Sequence, residues 1–191
     1  MMEHRDLNTT LALEEKLTRW LHNDDERMHA LRTAAKLDLP QWCLAAGFVR
    51  NLIWDTLHGF EYASALEDID LIYYDAGVIS EERDRDFEHV LRSMSNHPWS
   101  VKNQARMHKK IGVKPYHSVV DAMSYWPEVE TAIGAKINHR QEIEIISPFA
   151  LPLLVNTTVT INSKHPELNT AKNRAADKGW FKKWPKLVFK D

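Results

Sequence analysis

Apolar residues near the start of the chain recur with the spacing of amphipathic helices. Leu13, Leu17 and Leu21 follow one another at intervals of four residues and therefore share one helix face. The pair Thr9–Thr10 precedes this run and consists of N-cap residue types, so we expect the first helix to begin there. A second amphipathic helix is predicted over residues 24–37.

The middle of the chain alternates short apolar runs with helical patterns. Residues 42–46 predict a buried strand, and residues 47–58 predict a helix that ends before Gly59. Residues 68–74 are rich in β-branched and aromatic side chains and predict a second strand. This alternation is typical of an α/β or α+β domain. Further expected elements are a helix over 81–94, capped by Ser80, with Phe87, Val90, Leu91 and Met94 facing inward, a strand over 99–103, a helix over 118–125, a last strand over 143–146 and a helical tail over 169–184.

Length and composition exclude several classes of protein. The 191 residues suit one compact domain, and the 6 glycines and 8 prolines are too few for a collagen-like or linker-rich chain. Neither GxxxxGK[ST] nor GxGxxG occurs, which argues against a Walker-type ATPase or a typical dinucleotide fold. Cys43 is the only cysteine, so we expect a buried thiol and no disulfide. No apolar run approaches the roughly 20 residues of a membrane span, and we expect a soluble, cytoplasmic protein.

The small net charge of −2 conceals an uneven distribution. Residues 160–191 carry eight Lys or Arg and three acids, which is +5 and leaves −7 for the rest of the chain. Within this tail, residues 178–184 interleave lysines with aromatic residues. Such a segment can bind a nucleic-acid strand, or it can close the fold with its aromatic side chains on the core and its lysines in water. We favour the closing helix.

The most informative polar motif is Asp68-Ile69-Asp70 at the head of an apolar strand. Residues two apart on a strand point to the same face, about 7 Å apart along the strand. Two like charges there repel, and a bound cation removes that penalty. Magnesium prefers oxygen ligands and is usually held by one or two carboxylates together with substrate phosphates. Other acid-x-acid triplets, such as Glu82-Arg83-Asp84, are interpreted as solvated helix faces.

A strand–glycine–helix unit precedes this motif. Gly47 at the turn lets backbone N–H groups approach a phosphate closely, although a simple tight turn explains it equally well. Arg50 lies in the first turn of the helix, where the macrodipole disfavours a cation. We therefore expect Arg50 to bind phosphate or a partner carboxylate, with a surface ion pair as the alternative.

The segments AGFVRN, LHG and EDIDL, taken together, resemble the glycine–DxD signature of the polymerase-beta-like nucleotidyltransferase superfamily, particularly its CCA-adding and poly(A) polymerase branch. Residues 41–187 also resemble a bacterial family of small nucleotidyltransferase-like proteins, through DIDLIYYD, WSVKNQARMH, DAMSYWPE, TAIGAKI, IEIISPFAL and KGWFKKWPKL. The resemblance implies one nucleotidyltransferase-like domain over 1–191, with a polymerase-beta-like core sheet and flanking helices. N-terminal helices are expected over 1–40, the catalytic core over 41–158 and a basic C-terminal helix over 159–191.

The resemblance also implies a reaction, the transfer of a nucleoside monophosphate from an NTP to an acceptor. Asp68 and Asp70 would hold Mg²⁺ or Mn²⁺, while Gly47, Arg50 and Asn51 would shape the triphosphate side. The acceptor stays open among RNA, protein and small molecules. One departure is Phe48, which stands where the superfamily has a second small residue.

A third carboxylate is the uncertain part of the implied site. Where the CCA-adding branch places an acid on its next strand, this chain has Val101-Lys102-Asn103. We expect Glu144, on the later strand, to serve instead, with Glu142 on the same face. Without a third acid the acceptor hydroxyl lacks its general base, and the protein would be a weak or inactive nucleotide- or RNA-binding module.

Two further residues are expected at the cofactor-binding site because they follow the end of a strand. Arg106 can fork onto a phosphate, and His108 can donate a hydrogen bond or titrate near neutrality. The alternative for Arg106 is an internal ion pair with Asp68, Asp70 or Asp121. Trp126 is expected in the core rather than as a stacking platform.

Overall fold

The computed structural model describes residues 2–190, with side chains from residue 8 onward. The helices are α1 Met2–His22, α2 Asp25–Ala35, α3 Gly47–His58, α4 Glu81–Met94, α5 His108–Ile111, α6 Val119–Met123, α7 Asn169–Asp177 and α8 Trp180–Lys183. The strands are β1 Cys43–Ala45, β2 Ile69–Tyr73, β3 Trp99–Asn103, β4 Gly134–Ile137, β5 Ile143–Ile146, β6 Thr158–Thr160 and β7 Val188–Lys190.

Five strands form one mixed sheet in the order β3-β2-β1-β4-β5. Strand β2 is parallel to β3 and antiparallel to β1, and β4 is antiparallel to both β1 and β5. Strands β6 and β7 form a separate parallel pair. The expected mixed α/β architecture, a core sheet with flanking helices, is therefore confirmed.

The two faces of the sheet are covered differently. Leu44, Leu71 and Val101 point into the main core, to which α1, α2, α3 and the C-terminal helices contribute. The other face carries a smaller cluster that includes Cys43 and Ile72 and is covered by α6. Burial raises the pKa of the Cys43 thiol to about 12, so this cysteine is the inert buried thiol that its sequence context predicted. The smaller cluster leaves part of its face uncovered beside Asp70.

Several predicted element boundaries hold, and three do not. Ser80 caps α4, whose bounds agree with the prediction, but Val90 is 42% exposed rather than inward. Helix α1 already includes Thr9–Thr10, because the preceding residues are good helix formers without Gly or Pro. Residues 143–146 are not the last strand, because β6 and β7 follow them. These two short strands pair although they lie far apart in the sequence, and a local pattern cannot indicate such a pairing. The expected tail helix is split by Gly179, which adopts φ 61° between α7 and α8.

A buried carboxylate on α3 ties three segments together. Asp55 is 2% exposed and accepts hydrogen bonds from the Ser64 backbone N–H at 2.7 Å and the Ser64 hydroxyl at 2.7 Å. It also accepts the indole N–H of Trp184 at 2.8 Å. Asp55 thus fixes both the loop that leads into β2 and the C-terminal helices relative to α3.

Among residues 2–190, every helix is too short or too polar to cross a bilayer.

We expect Asp55→Ala to lower the free energy of unfolding by about 2–4 kcal/mol, because it leaves the buried indole N–H of Trp184 and the partly buried donors of Ser64 without acceptors. Urea unfolding followed by tryptophan fluorescence measures the change. The matched control is Asp86→Ala on the exposed side of α4, which should change the stability by less than about 0.5 kcal/mol. Equal stabilities of the two variants would contradict the proposed role of Asp55.

Candidate functional site

The turn between β1 and α3 holds an unusual backbone conformation. Ala46, rather than Gly47, adopts a positive φ of 56°, and its N–H donates to the Ile133 carbonyl at 3.0 Å. Such backbone strain in a non-glycine residue is concentrated at functional sites. Helix α3 begins at Gly47 without a side-chain cap, and the N–H groups of Gly47 and Phe48 have no hydrogen-bond acceptor among the described residues. A Cβ at Gly47 would lie 3.3 Å from Nδ2 of Asn51, so a side chain there would crowd the helix start.

Asp68 and Asp70 stand beside this turn. Asp70 lies on β2 between Ala45 of β1 and Ser100 of β3, while Asp68 is exposed just before the strand. Within the described residues, neither carboxylate has a Lys, Arg or His partner within 4.0 Å. Burial and the neighbouring Asp68 raise the pKa of Asp70, against a smaller opposing effect of the Ser100 hydroxyl and two cations. The pair therefore carries negative charge that no nearby ion pair neutralises.

A cleft of about 420 Å³, here called the charged cleft, contains both acids. Gly47, Arg50 and Asn51, the residues that the sequence assigned to the triphosphate side, also line this cleft. Basic residues of the C-terminal helices form the facing wall. The sequence indicated that the tail is basic, but it did not place any of these side chains at the cleft. These basic residues are Arg174, Lys178 and Lys183.

Arg50 lines the charged cleft, but the hydrogen bonds that its guanidinium donates go to other residues of the protein. Its guanidinium carbon lies 4.7 Å from the ring centre of Trp54 and 4.3 Å from that of Trp180. The guanidinium donates to the Thr131 hydroxyl at 3.0 Å and to Oδ1 of Asn51 at 2.8 Å. Burial lowers the pKa of Arg50 to about 10, with Glu128 acting in the opposite direction, so the side chain stays charged at neutral pH. Arg50 thus clamps the tail onto α3.

Arg106 and His108 are not among the residues that line the charged cleft, which corrects the expectation for both. Arg106 forms ion pairs with Asp84 and with Glu81 of α4, so its guanidinium is directed away from Asp70. The alternative partners named from the sequence were also wrong. Asp84 was assigned to a solvated helix face, but it is 2% exposed and accepts the Tyr73 hydroxyl at 2.7 Å. Nδ1 of His108 bonds to the Ala105 carbonyl at 3.1 Å.

The structure does not bring Glu144 to the acid pair. Glu144 lies on β5, three strands from β2, and three strand spacings amount to about 14 Å. Its carboxylate bonds to Lys136 at 2.9 Å and to Asn138 at 3.0 Å, and both contacts lower its pKa. Strand β3, next to β2, presents Ser100 beside Asp70 and no acid. The expectation of Glu144 as a third metal-site carboxylate is therefore corrected by the strand order.

The donor set at the acid pair fits a hard divalent cation. No group of three or more His, Cys, Asp or Glu side chains in the described part of the chain is placed to hold a metal. Asp68 and Asp70 supply two carboxylates without competing ion pairs, which is the protein share of a typical Mg²⁺ site completed by phosphate oxygens and water. A thiolate- or imidazole-rich zinc site does not fit these residues.

A second cleft of about 420 Å³ lies on the other side of Asp70, and we call it the aromatic cleft. Both clefts share Ala46, Asp70 and Arg174, so they meet at the acid pair. Trp126 is half-buried and lines this cleft, so it contributes both to the smaller core cluster and to the cleft wall. The aromatic cleft is also lined by Tyr116, Tyr125, His165 and Glu167.

Comparisons with known proteins agree with this geometry. A family model described as Nucleotidyltransferase matches residues 32–189. A solved structure described as revealing a CCA-adding enzyme head domain has a TM-score of 0.81 and 31% identity, covering 93% of this chain and 95% of that chain. Two structures of a tRNA-processing enzyme in apo forms have TM-scores of 0.51 and 0.52 at 13% identity, and they support the fold alone. This chain spans less than half of each of those two, and no curated protein sequence matched significantly.

We expect Arg50→Lys to lower the free energy of unfolding by about 2–4 kcal/mol, because lysine cannot fork to Thr131 and Asn51 or place a planar cation against the two indole rings. Trypsin should also cut the C-terminal helices faster in this variant. Arg85→Lys, at an exposed position of α4, is the control. A variant with unchanged stability and unchanged cleavage would show that the clamp is dispensable.

The raised pKa of Asp70 gives a second prediction, for the metal-free protein. A carboxyl with a higher pKa in the folded state than its usual value of 3.8 binds its proton first in the folded state. As the pH falls from neutral towards 3.8, the free energy of unfolding of the wild type should therefore rise relative to that of Asp70→Asn. Urea unfolding in the presence of a chelator measures this difference. A difference that is constant with pH, or that shrinks as the pH falls, contradicts the raised pKa.

Proposed function

The chain belongs to the nucleotidyltransferase family, and we propose that it transfers a nucleoside monophosphate from an NTP to an acceptor hydroxyl, with Mg²⁺ or Mn²⁺ at Asp68 and Asp70. The observation that carries the proposal is the pair of carboxylates without ion-pair partners, which face cations across the charged cleft. Acids and bases so close together usually pair directly. Their separation here favours a ligand between them that contains both a cation and phosphates.

The charged cleft provides what a triphosphate needs. Lys178 and Lys183 line it beside Arg174, whose Nε already donates to Glu128 at 2.9 Å, and positive charge there stabilises the phosphate oxygens. The N–H groups at the start of α3, next to Gly47, favour an anion through hydrogen bonding and the helix dipole. The side chain of Phe48 is fully buried in the main core, so this departure from the family pattern removes no space from the cleft.

Catalysis by this chain rests on positioning and on charge neutralisation. A divalent cation, when bound, supplies Lewis-acid stabilisation of the oxygens around the transferred phosphorus. Asp68 and Asp70 would hold it, and Arg174, Lys178 and Lys183 would stabilise the departing pyrophosphate. The nature of the acceptor, whether RNA, protein or small molecule, stays open in this proposal.

A second candidate function is binding without turnover. It is favoured by one specific observation, the lack of a carboxylate at Ser100 on β3 together with the remote position of Glu144 on β5. In that case the protein binds a nucleotide or RNA and has a regulatory role. The two candidates differ in whether pyrophosphate is released.

We expect Asp68→Asn and Asp70→Asn each to lower NMP transfer about 10²–10³-fold, because loss of a metal ligand removes several kcal/mol of transition-state stabilisation. The measurement is labelling by α-³²P NTPs, with pyrophosphate release, on an acceptor pool from cell extract. Glu144→Gln is the control and should retain wild-type labelling, since Glu144 bonds to Lys136 on a distant strand.

The outcomes separate the two candidates. Labelling by the wild type that depends on Mg²⁺ and on both aspartates supports the transferase. If the wild type labels no more than Asp70→Asn, while thermal stabilisation by ATP persists, the binding module is the better description. Stabilisation by ATP that is independent of Mg²⁺ and of Asp68 and Asp70 contradicts both the metal site and the transferase.

A further inference from the structure

We infer that His165 is the general base that takes the proton from the acceptor hydroxyl, and that the aromatic cleft is the acceptor subsite. The inference rests on the proposed nucleotidyl transfer and adds a residue that neither the motif pattern nor the sequence analysis singled out. It also answers the question that the missing third carboxylate leaves open.

The arrangement of the two clefts separates the substrates. Cations line both clefts, but Asp68, the start of α3 and the tail lysines line only the charged cleft, so we assign the β- and γ-phosphates, which leave as pyrophosphate, to the charged cleft. In phosphoryl-type transfer the attacking and leaving oxygens lie roughly in line on opposite sides of the phosphorus. The attacking hydroxyl must therefore approach from the other side of Asp70, and the cleft found there is the aromatic cleft.

His165 is held in that cleft in one defined tautomer. It is 7% exposed, and its Nδ1 lies 2.8 Å from the Tyr125 carbonyl oxygen. A carbonyl oxygen only accepts hydrogen bonds, so Nδ1 carries the proton and Nε2 keeps its lone pair. Nε2 has no hydrogen-bond partner among the described residues, and it is not sealed from solvent. A buried imidazole with a bare, accessible nitrogen is the arrangement that a general base requires.

The segment that carries His165 is fixed to the cleft wall. Asn162 is 5% exposed, and its Nδ2 donates to the Ser124 carbonyl at 2.8 Å and to the Trp126 carbonyl at 2.7 Å. The backbone N–H of His165 donates to the Asn162 carbonyl at 3.0 Å. These bonds leave the imidazole little freedom to turn away, which a positioned base needs.

The proposed step balances as follows. The acceptor O–H proton passes to Nε2 of His165 while the acceptor oxygen forms a bond to the α-phosphorus of the NTP. The bond from that phosphorus to the oxygen bridging it to the β-phosphate breaks, and the electron pair leaves with pyrophosphate. The imidazolium then gives its proton to water, which restores the enzyme.

Glu167 is the competing base at this cleft. It is exposed, and among the described residues its carboxylate accepts one long hydrogen bond, from the Thr170 hydroxyl at 3.3 Å. His165 is buried and oriented by the Tyr125 carbonyl, so His165 is the better positioned base. The charged and titratable groups that share the cleft with His165 are Asp70, Lys102, Lys110, Tyr116, Tyr125, Glu167 and Arg174.

The test uses His165→Asn in the full chain. The Asn amide reaches the position of Nδ1 and keeps the bond to the Tyr125 carbonyl, while it removes Nε2. We expect kcat for labelling by α-³²P NTPs to fall about 10²–10⁴-fold. Stabilisation by Mg²⁺ with a nonhydrolysable ATP analogue should be unchanged, because His165 acts on the acceptor.

Two controls and a spectroscopic measurement make the outcome decisive. His139→Asn makes the same change at an exposed turn and should retain the rate, and Glu167→Gln should lose less than His165→Asn. Transfer by His165→Asn at the wild-type rate, or a larger loss in Glu167→Gln, overturns this inference and leaves the transferase standing. A ¹⁵N–¹H spectrum that shows the proton of His165 on Nε2 overturns it even without turnover, whereas absence of transfer by the wild type overturns both proposals.

Discussion

The docking of the C-terminal helices on α3 is the contact on which the rest of the site depends. Arg50 packs against the rings of both Trp54 and Trp180, and Asp55 accepts the indole N–H of Trp184 from 129 residues away. Burying a guanidinium and a carboxylate is costly, and the hydrogen bonds and ring contacts that offset this cost favour one position for the tail, although Nε of Arg50 has no partner among the described residues. That position sets Lys178 and Lys183 across the cleft from the acid pair.

The consequence is a site divided at Asp70. In the proposed function, the tail cations and the start of α3 bind the phosphates on one side, and the aromatic walls and His165 receive the acceptor on the other side. The acid pair stays without direct ion pairs because the cations stand across an open cleft instead of in contact. Burial and the neighbouring Asp68 both raise the pKa of Asp70, and in the proposed function a metal with its phosphates would offset both effects.

Local features were predictable because their physical causes are local. The limits of α3 follow from helical periodicity and from Gly59, which adopts φ 74° after the last turn. The position of Asp70 on the sheet face that the main core leaves free follows from the alternation of side chains along β2. Strand β4 escaped prediction, because its Gly134 and Ala135 have low strand propensity and are held only by pairing on both sides.

The sequence by itself determined the strand–turn–helix unit, the acid pair and the nucleotidyltransferase family, since each is written in neighbouring residues. Only the tertiary structure decided which distant side chains meet. The strand order places Glu144 three strands away from the acid pair, and the packing of α4 brings Asp84 into an ion pair with Arg106. The packing of the tail brought Lys178 and His165 to the clefts. Such contacts depend on the summed burial of the whole core, which no local pattern of residues encodes.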